Sequence, residues 1–508
     1  MSTVKVPQIP PLQEYQQVAK EFIKNTPRCA IYLGMGTGKT LTTLTALYEL
    51  RPPGNILVVA PLAIARSTWL DEIREREFPL RTVSLVVDGQ DRRLSKTKRL
   101  ELYAEIESSP PAMYFINESL LHDLVKFFNP NITPKWIHSD MAVKNPPRFP
   151  FDTLIIDEAQ ILGSPKSRLS AHVAYASFAV SRVIELTGTP VTEGYLKLWS
   201  QMFPIDHGAR LGSRFTQFRD RFFVSTKKSP QGHPIGWELR PGADKQIESI
   251  IKDVTLSAEV FNPLMPNTRI IDVPVVLSHK AAKAYRTLAK EQVVSFLHTE
   301  GIEIPDNEEC QPGDIDISAA NAAVLTSKLL QLASGTVYTA EEDRVADPSL
   351  PASITVHEDK LDMLEYLIDS IDAPVLVAHM FVADRERIFE RLSSKGCQIF
   401  DGSAEMTKRW NNREIPILLI HPQSAGHGIN LQHGSSHLIW YTLPYSGQQY
   451  QQANARLARM GQPDDVVSIY RLITKNTIDE FQPRRLEGKY SQEQMFLDAV
   501  NKYRTVSS

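Results

Sequence analysis

A glycine-rich loop near the start of the chain contains the residue types that bind nucleotide phosphates. The segment CAIYLGMGTGKTLTTLTAL (29–47) reads as a strand, a loop and a helix. Backbone N–H groups of such a loop bind phosphate oxygens, the lysine ammonium reaches the β and γ oxygens, and the threonine hydroxyl is a Mg²⁺ ligand. We therefore predict a site for ATP and Mg²⁺ rather than a glycine turn with an incidental lysine. Its predicted ligands are Gly34, Gly36, Thr37, Gly38, Lys39 and, for the metal, Thr40.

Two adjacent acidic residues end an apolar run in the segment FDTLIIDEAQ (151–160). A strand that ends at Asp157 places this carboxylate at the carboxyl edge of a sheet, where it can hold the Mg²⁺ shell. Glu158 beside it can polarise the water that attacks the γ-phosphate. The pair alone also fits a solvated strand end, but together with the upstream loop it predicts ATP hydrolysis.

A third candidate group lies near the other end of the chain, in YQQANARLARMGQ (450–462). The spacing of Gln452, Arg456 and Arg459 predicts that they share one face of a helix. Guanidinium groups on a second lobe can reach a γ-phosphate bound on the first, and they then supply transition-state charge when the lobes close. The alternative is a surface helix with two solvated arginines.

The elements that must position these residues are short, nearly continuous apolar runs, each followed by a segment of helical period. This alternation is typical of buried parallel strands in α/β units. It predicts an α/β fold with two doubly wound parallel-sheet lobes. The predicted strands are 29–33, 56–60, 83–87, 113–116, 153–156 and 183–186 in the first half, and 375–378, 417–420, 437–441 and 466–470 in the second.

Residues 206–350 lack this alternation and are charged, with proline and glycine clusters at 229–234 and 312–314. We interpret them as helical insertions and a linker. The expected domains are an ATP-binding lobe at 1–205, the insertions and linker at 206–350, and a second lobe with a terminal helix at 351–508.

Composition excludes several classes of protein. The 508 residues include 56 Lys and Arg against 59 Asp and Glu, so nucleic acid would have to bind to local patches rather than to a uniformly basic chain. Three scattered cysteines without C-x-x-C spacing argue against a disulfide framework and a zinc ribbon. The apolar run 56–65 is too short for a membrane span. We expect a soluble protein without a membrane partner, in the cytoplasm of a bacterial host or an equivalent compartment.

In chain order, these motifs resemble those of superfamily 2 helicases, and specifically of Swi/Snf-type translocases of double-stranded DNA. Supporting segments include VVAPLAIARSTWLDEI (58–73), LTGTP (186–190) and SAGHGINLQ (424–432). The resemblance covers roughly residues 12–480 and implies two RecA-like lobes with helical insertions between them. It implies an adenine contact for Gln16, a nucleotide contact for Gly428, and coupling or nucleic-acid roles for Thr187, Gly188, Thr189, Asn430 and Gln452.

The chain also departs from the usual pattern of that family. Acidic residues are usual where Leu33 and Gly34 stand, and a histidine is usual where Gln160 stands. Ala455 and Ala458 replace Asp and His. These differences favour a minimal motor of bacterial or viral type over a chromatin-remodelling subgroup.

Two basic runs, 92–99 and 210–228, fit either phosphate contacts or solvated surfaces, and the histidines between 421 and 437 match no zinc motif. The leading functional hypothesis is an ATPase that moves along duplex DNA as a monomer. A strand-separating or junction-remodelling helicase is the alternative. A nucleotide-gated clamp or protein remodeller is a hypothesis from a different class.

Overall fold

The computed structural model describes residues 6–487 and residue 498, with gaps at 35, 63, 91, 132–145, 189–193, 229–233, 259–265, 300–318, 340–343, 346, 348 and 424–428. The chain forms two compact units, Met1–Asn262 and Pro263–Ser508. Among the described residues, no helix combines the length and the apolar character needed to cross a bilayer.

The first unit is built on a seven-stranded parallel sheet of order β3-β4-β2-β5-β6-β1-β9, with a separate antiparallel hairpin of β7 and β8. Its strands are β1 (Arg28–Leu33), β2 (Ile56–Ala60), β3 (Thr82–Ser84), β4 (Met113–Asn117), β5 (Thr153–Asp157), β6 (Arg182–Thr187), β7 (Phe223–Lys228), β8 (Pro234–Leu239) and β9 (Thr255–Ala258). Its helices are α1 (Glu14–Asn25), α2 (Lys39–Leu50), α3 (Trp69–Glu75), α4 (Lys96–Glu105), α5 (Leu121–Phe128), α6 (Arg168–Ser177), α7 (Leu198–Asp206), α8 (Phe215–Phe222) and α9 (Ala243–Ile251).

Helices cover both faces of this sheet because the central strands are apolar on both sides. All five residues of β2, β4 and β5 are buried. Alternate residues of these strands pack into two separate clusters, one against α1, α2 and α3 and the other against α4 to α7. The prediction of a doubly wound parallel sheet is confirmed for this unit.

The second unit has a six-stranded parallel sheet of order β10-β17-β16-β13-β15-β14 and a small antiparallel pair, β11 and β12. Its strands are β10 (Asn267–Val275), β11 (Thr336–Tyr338), β12 (Ser353–Thr355), β13 (Val375–Ala378), β14 (Cys397–Ile399), β15 (Ile417–Ile420), β16 (His437–Trp440) and β17 (Val466–Thr474). Its helices are α10 (His279–Thr299), α11 (Ala319–Ser334), α12 (Asp359–Asp369), α13 (Val382–Leu392), α14 (Ala404–Asn411), α15 (Gly447–Asn454) and α16 (Gln482–Leu486). This sheet is also packed on both faces, which confirms the second lobe.

Residues 206–350 contain more sheet than their sequence suggested. In this segment β9 pairs with β1 and β10 pairs with β17, so both main sheets gain a strand. The interpretation of the segment as only insertions and linker was wrong on this point. The reason is that β10 is an edge strand whose residues are mostly exposed and include Pro274, so it lacks the continuous apolar run of a central strand. The domain limits at 205 and 350 stay a prediction.

Candidate active site

The glycine-rich loop connects β1 to α2 and depends on two glycines in the left-handed region. Gly36 has φ 72° and Gly38 has φ 75°. Glycine adopts this conformation without the clash that a Cβ would cause, and so these positions require it. Because Gly38 is the residue before α2, the helix begins at Lys39, and Thr40 follows half-buried in its first turn. The free N–H groups of that turn point toward the loop.

The loop curls around the Lys39 ammonium. Lys39 Nζ donates hydrogen bonds to the carbonyl oxygens of Leu33 at 2.8 Å and Gly34 at 3.0 Å. The Thr37 hydroxyl donates to the same Gly34 carbonyl at 2.7 Å. A cation on the concave side of a loop with a helix N-terminus behind it is the arrangement that favours phosphate.

Gln16 supports this loop from α1. Its side-chain amide nitrogen donates to the Thr37 carbonyl at 2.9 Å, and its oxygen accepts from the Gln13 backbone N–H at 2.9 Å. The Tyr15 hydroxyl donates to the same Thr37 carbonyl at 3.1 Å. The structure therefore brings Gln16 to the phosphate loop, and its contact with adenine stays a prediction.

Asp157 is the last residue of β5 and is buried, with its Oδ2 accepting from the Trp69 indole N–H at 2.8 Å. Burial, and then the charge of neighbouring Glu158, raises the pKa of Asp157 to about 6, while Lys39 acts in the opposite direction. A buried carboxylate whose charge is only partly offset is a good ligand for a divalent cation. Together with the Thr40 hydroxyl, Asp157 fits the donor set that Mg²⁺ prefers.

Glu158 has a strained backbone, and a short hydrogen-bonded chain starts from its side chain. Its φ of 60° is in the left-handed region, which is uncommon for a residue with a Cβ and typical of functional sites. The Gln160 amide nitrogen donates to Glu158 Oε2 at 2.6 Å, and the Thr187 hydroxyl donates to the Gln160 amide oxygen. Gln160 thus connects the end of β5 to the end of β6.

Sheet order explains why these residues meet. Strand β6 lies between β5 and β1, with Thr187 in register with Tyr32 of β1 and Leu186 in register with Asp157. The glycine loop, Asp157 and Thr187 therefore follow three adjacent parallel strands at one edge. Gly188 comes next and is half-buried, while Thr189 lies outside the described residues.

In the second unit, the predicted shared helical face is wrong. Helix α15 ends at Asn454, after which Arg456 N donates to Ala453 O at 3.1 Å and Leu457 N to Asn454 O at 3.2 Å. These tighter turns follow from two anchors: the Trp440 indole donates to the Asn454 side chain at 2.9 Å, and Leu457 is fully buried. Gln452 lies on α15, but the two arginines lie beyond it.

The two arginines nevertheless lie beside the end of the SAGHGINLQ segment. Arg456 Nη1 donates to the Ile429 carbonyl at 3.5 Å, and Arg459 Nη1 donates to the Asn430 side-chain oxygen. Gln452 is buried, and its amide nitrogen has no hydrogen-bond partner among the described residues. Gly428 lies outside the described residues. The structure thus groups Asn430, Arg456 and Arg459, and their roles stay predictions.

The basic runs are partly neutralised within the first unit. Arg210 pairs with Asp206 at 3.1 Å and with Asp253 at 2.5 Å. Arg219 pairs with Asp220 and stacks on Trp237 at 4.1 Å.

Sequence reasoning missed the contact of Trp69 with Asp157 and the bridging position of Gln160. The sequence gave one signal for these features: Gln160 stands where the family usually has a histidine.

The fold and this site define a class of protein: a helicase-type ATPase with two parallel-sheet units, the first of which has a phosphate-binding loop and a strand-end Asp-Glu pair. The pattern of the SNF2-related domain matches residues 25–308, which is more than half of the chain. The chain belongs to the SNF2-related family, a class of ATP-dependent DNA translocases.

Several relatives resemble the chain over most of its length. Putative protein p41 of Acyrthosiphon pisum secondary endosymbiont phage 1 is 29% identical, covering 96% of this chain and 98% of that protein. An uncharacterized ATP-dependent helicase of Mycoplasma pneumoniae is 25% identical, covering 92% of this chain and 40% of that protein. The DNA repair and recombination protein RAD54-like of Danio rerio is 22% identical, covering 90% of this chain and 62% of that protein. The chain therefore spans less than two thirds of the length of the last two relatives.

A solved structure titled Sulfolobus solfataricus SWI2/SNF2 ATPase core in complex with dsDNA aligns at 17% identity with a TM-score of 0.39, covering 100% of this chain and 97% of that one.

Proposed function

We propose that the chain hydrolyses ATP with Mg²⁺ and couples each hydrolysis to a step along double-stranded DNA. The observation that supports this most directly is the convergence of the glycine loop, Asp157 and Thr187 at one edge of the first sheet. The hydrogen bonds of Gln160 connect the predicted hydrolytic residue Glu158 to Thr187 and so provide a physical link between the nucleotide and β6.

Four side chains of the first unit act on the nucleotide, the metal or the attacking water in this proposal. Lys39 leaves its two loop carbonyls to bind the β and γ oxygens, with the glycine-loop N–H groups around them. Thr40 and Asp157 hold Mg²⁺, whose charge offsets that of the phosphates. Glu158 accepts the proton of the attacking water, and its fixed backbone limits where that water can lie.

The second unit supplies the groups that respond to DNA. We propose that Arg456 and Arg459 give positive charge to the γ-phosphate in the transition state, and that both start from the Ile429–Asn430 segment that they contact now. Gly428 would contact nucleotide, and Asn430 and Gln452 nucleic acid. Because one chain contains both sets of residues, we propose that a monomer is active. We propose the bacterial cytoplasm as its location, since its DNA would lie there.

The test compares ATP turnover with no nucleic acid, duplex DNA, single-stranded DNA and RNA of equal length. We expect low turnover alone and the strongest stimulation by duplex. Triplex displacement and unwinding assays run in parallel then separate the candidates. Displacement without unwinding supports translocation, unwinding supports a helicase, and tight binding with neither supports a clamp. Equal or greater stimulation by RNA would refute a DNA motor.

Two variants define the site in the same experiment. Lys39→Ala should reduce turnover to background while the protein stays folded, because the loss is local: the ammonium and its two hydrogen bonds to the carbonyls of Leu33 and Gly34. Glu158→Gln should still bind ATP but not hydrolyse it, because the amide keeps the hydrogen-bonding shape and loses the base. Wild-type turnover in Lys39→Ala would refute the site.

A further inference from the structure

Helix α10 of the second unit has two chemically different faces. Ala281, Tyr285, Ala289, Val293 and Leu297 recur every fourth residue and are all buried, the last four of them in one hydrophobic cluster. The other positions are exposed or half-buried and carry the basic residues of the helix, with Glu291 as its one acidic residue. The basic residues between the start of the helix and its middle are His279, Lys280, Lys283, Arg286 and Lys290. No sequence motif marked this face, because its cations are spread over a helix rather than adjacent.

Three of these five basic residues have no carboxylate partner within the described part of the chain, and Lys290 is not one of the three. Lys280, Lys283 and Arg286 are exposed and form no ion pair with a described carboxylate. Helix α13 and the turn after it differ from α10, because their basic residues are paired with carboxylates. There Arg391 contacts Glu358, Asp362 and Glu365, and Lys395 contacts Glu365 and Asp369. Charges that are compensated internally stabilise a helix pair, whereas uncompensated ones of a single sign attract an external ligand of opposite charge.

The spacing suits a polyanion with regularly repeated charges. Lys283 and Arg286 are three residues apart and so are neighbours on one face, with His279 and Lys290 one turn away on either side. The row from 279 to 290 is about 16 Å long at the helical rise. One strand of duplex DNA presents about five phosphates over that axial distance.

We propose that this face of α10 binds the phosphate backbone of DNA and adds a sequence-independent contact to the motor. The proposal rests on the function proposed above, but none of its residues belongs to the ATP site. A contact of this kind increases affinity for DNA and its salt dependence without changing hydrolysis in the absence of DNA.

The experiment measures binding of a fluorescent duplex by the full-length protein at several salt concentrations without nucleotide. The variants are Lys283→Gln/Arg286→Gln and Lys283→Glu/Arg286→Glu. The control for the charge reversal is Lys408→Glu/Arg484→Glu, which makes the same change at two exposed positions elsewhere in the second unit. Because all four side chains are exposed, thermal unfolding should match wild type, and the milder glutamine pair covers the case in which reversal impairs folding.

We expect the α10 variants to lower the slope of log affinity against log salt by about 1 per lost contact, hence by about 2 for the pair. The control pair should leave the slope unchanged, and all proteins should hydrolyse ATP at the wild-type rate without DNA. An equal loss in the control, or no loss in the α10 variants while duplex still stimulates the wild type, would overturn the proposal. Absence of any stimulation of the wild type would instead overturn the proposed motor function.

One rival occupant has a distinct signature. Residues 300–318 follow α10 directly, lie outside the described residues, and contain seven acidic residues but no lysine or arginine. If that segment covers the basic face, charge reversal should release it, and duplex affinity would stay constant or rise. Either result would refute binding of DNA phosphate to α10.

Discussion

Both units contain buried charged groups near the ends of their strands, but these groups are satisfied in different ways. In the second unit, Lys360 and Asp479 form a buried ion pair at 2.5 Å, and Asp479 also accepts the Thr474 N–H at 3.1 Å. In the first unit, Asp157 accepts the Trp69 indole N–H, and burial, followed by the charge of Glu158, raises the pKa of Asp157 to about 6. A closed buried pair fixes structure, whereas an incompletely compensated carboxylate is ready to bind a cation.

Asp384 and Glu158 differ in where their hydrogen-bond partners lie. Asp384 of α13 is buried and accepts hydrogen bonds from the hydroxyls of Ser334 and Thr442, all within the second unit. Glu158 accepts from Gln160, which in turn accepts from Thr187 at the end of another strand. The hydrogen bonds of Asp384 hold α13 against the core of the second unit. Those that start from Glu158 connect two strand ends that the proposed chemistry uses, so the two units should respond differently to mutation.

The largest effect on chemistry is expected at the arginines of the second unit. Arg456→Ala or Arg459→Ala should reduce DNA-stimulated turnover by about 10³-fold or more, with much less loss of ATP affinity, because the contact forms mainly in the transition state. Lysine should rescue neither, since a point charge does not replace the planar guanidinium. Steady-state turnover and nucleotide binding, measured separately, check this. Turnover within a few-fold of wild type in both variants would remove the second unit from the chemistry.

The ion pair of the second unit should affect stability instead. Lys360→Met leaves Asp479 buried with one backbone donor, which should cost about 3–5 kcal/mol. Lys360→Met/Asp479→Asn should cost less, because no charge then stays unpaired. Denaturant unfolding measures both, with the surface variant Lys395→Met as a control that costs about 1 kcal/mol or less. A double variant as unstable as the single one would contradict the pairing.

A smaller effect is expected at Gln160, which links the two strand ends. Gln160→Leu removes both of its hydrogen bonds and should lower DNA-stimulated turnover by about tenfold, equivalent to about 1.4 kcal/mol. Thr187→Val removes one of the same bonds, so the double variant should be little worse than Gln160→Leu. Turnover with and without duplex tests this cycle. Additive losses would show that the two residues act independently.

Sequence reasoning predicted what is encoded locally. The glycine loop, the central strands β2, β4, β5 and β6, and the Asp-Glu pair each depend on a few adjacent residues. The missed features depend on distant partners: Trp69 reaches Asp157 across 88 positions, and β10 pairs with a strand nearly 200 positions later. The end of α15 at Asn454 is set by Trp440, which helical periodicity does not register.

The smallest effect concerns Glu185, a buried carboxyl of the first unit that no proposed step uses. It lies within β6 and is fully buried, and within the part of the chain that the structure describes neither of its oxygens has a hydrogen-bond partner. Burial raises its pKa well above the usual 4.5, so the folded protein keeps this proton at pH values where the unfolded chain has released it. The folded state then binds more protons, and stability falls as pH rises from about 4.5 toward the folded pKa, by at most about 1.4 kcal/mol per pH unit.

Glu185→Gln should remove this dependence without changing turnover, whereas the exposed control Glu105→Gln should keep it. Thermal unfolding from pH 5 to pH 7 compares the three proteins. If wild type and Glu185→Gln show the same pH dependence, Glu185 is ionised in the fold, and the first unit contains a second uncompensated buried charge besides Asp157.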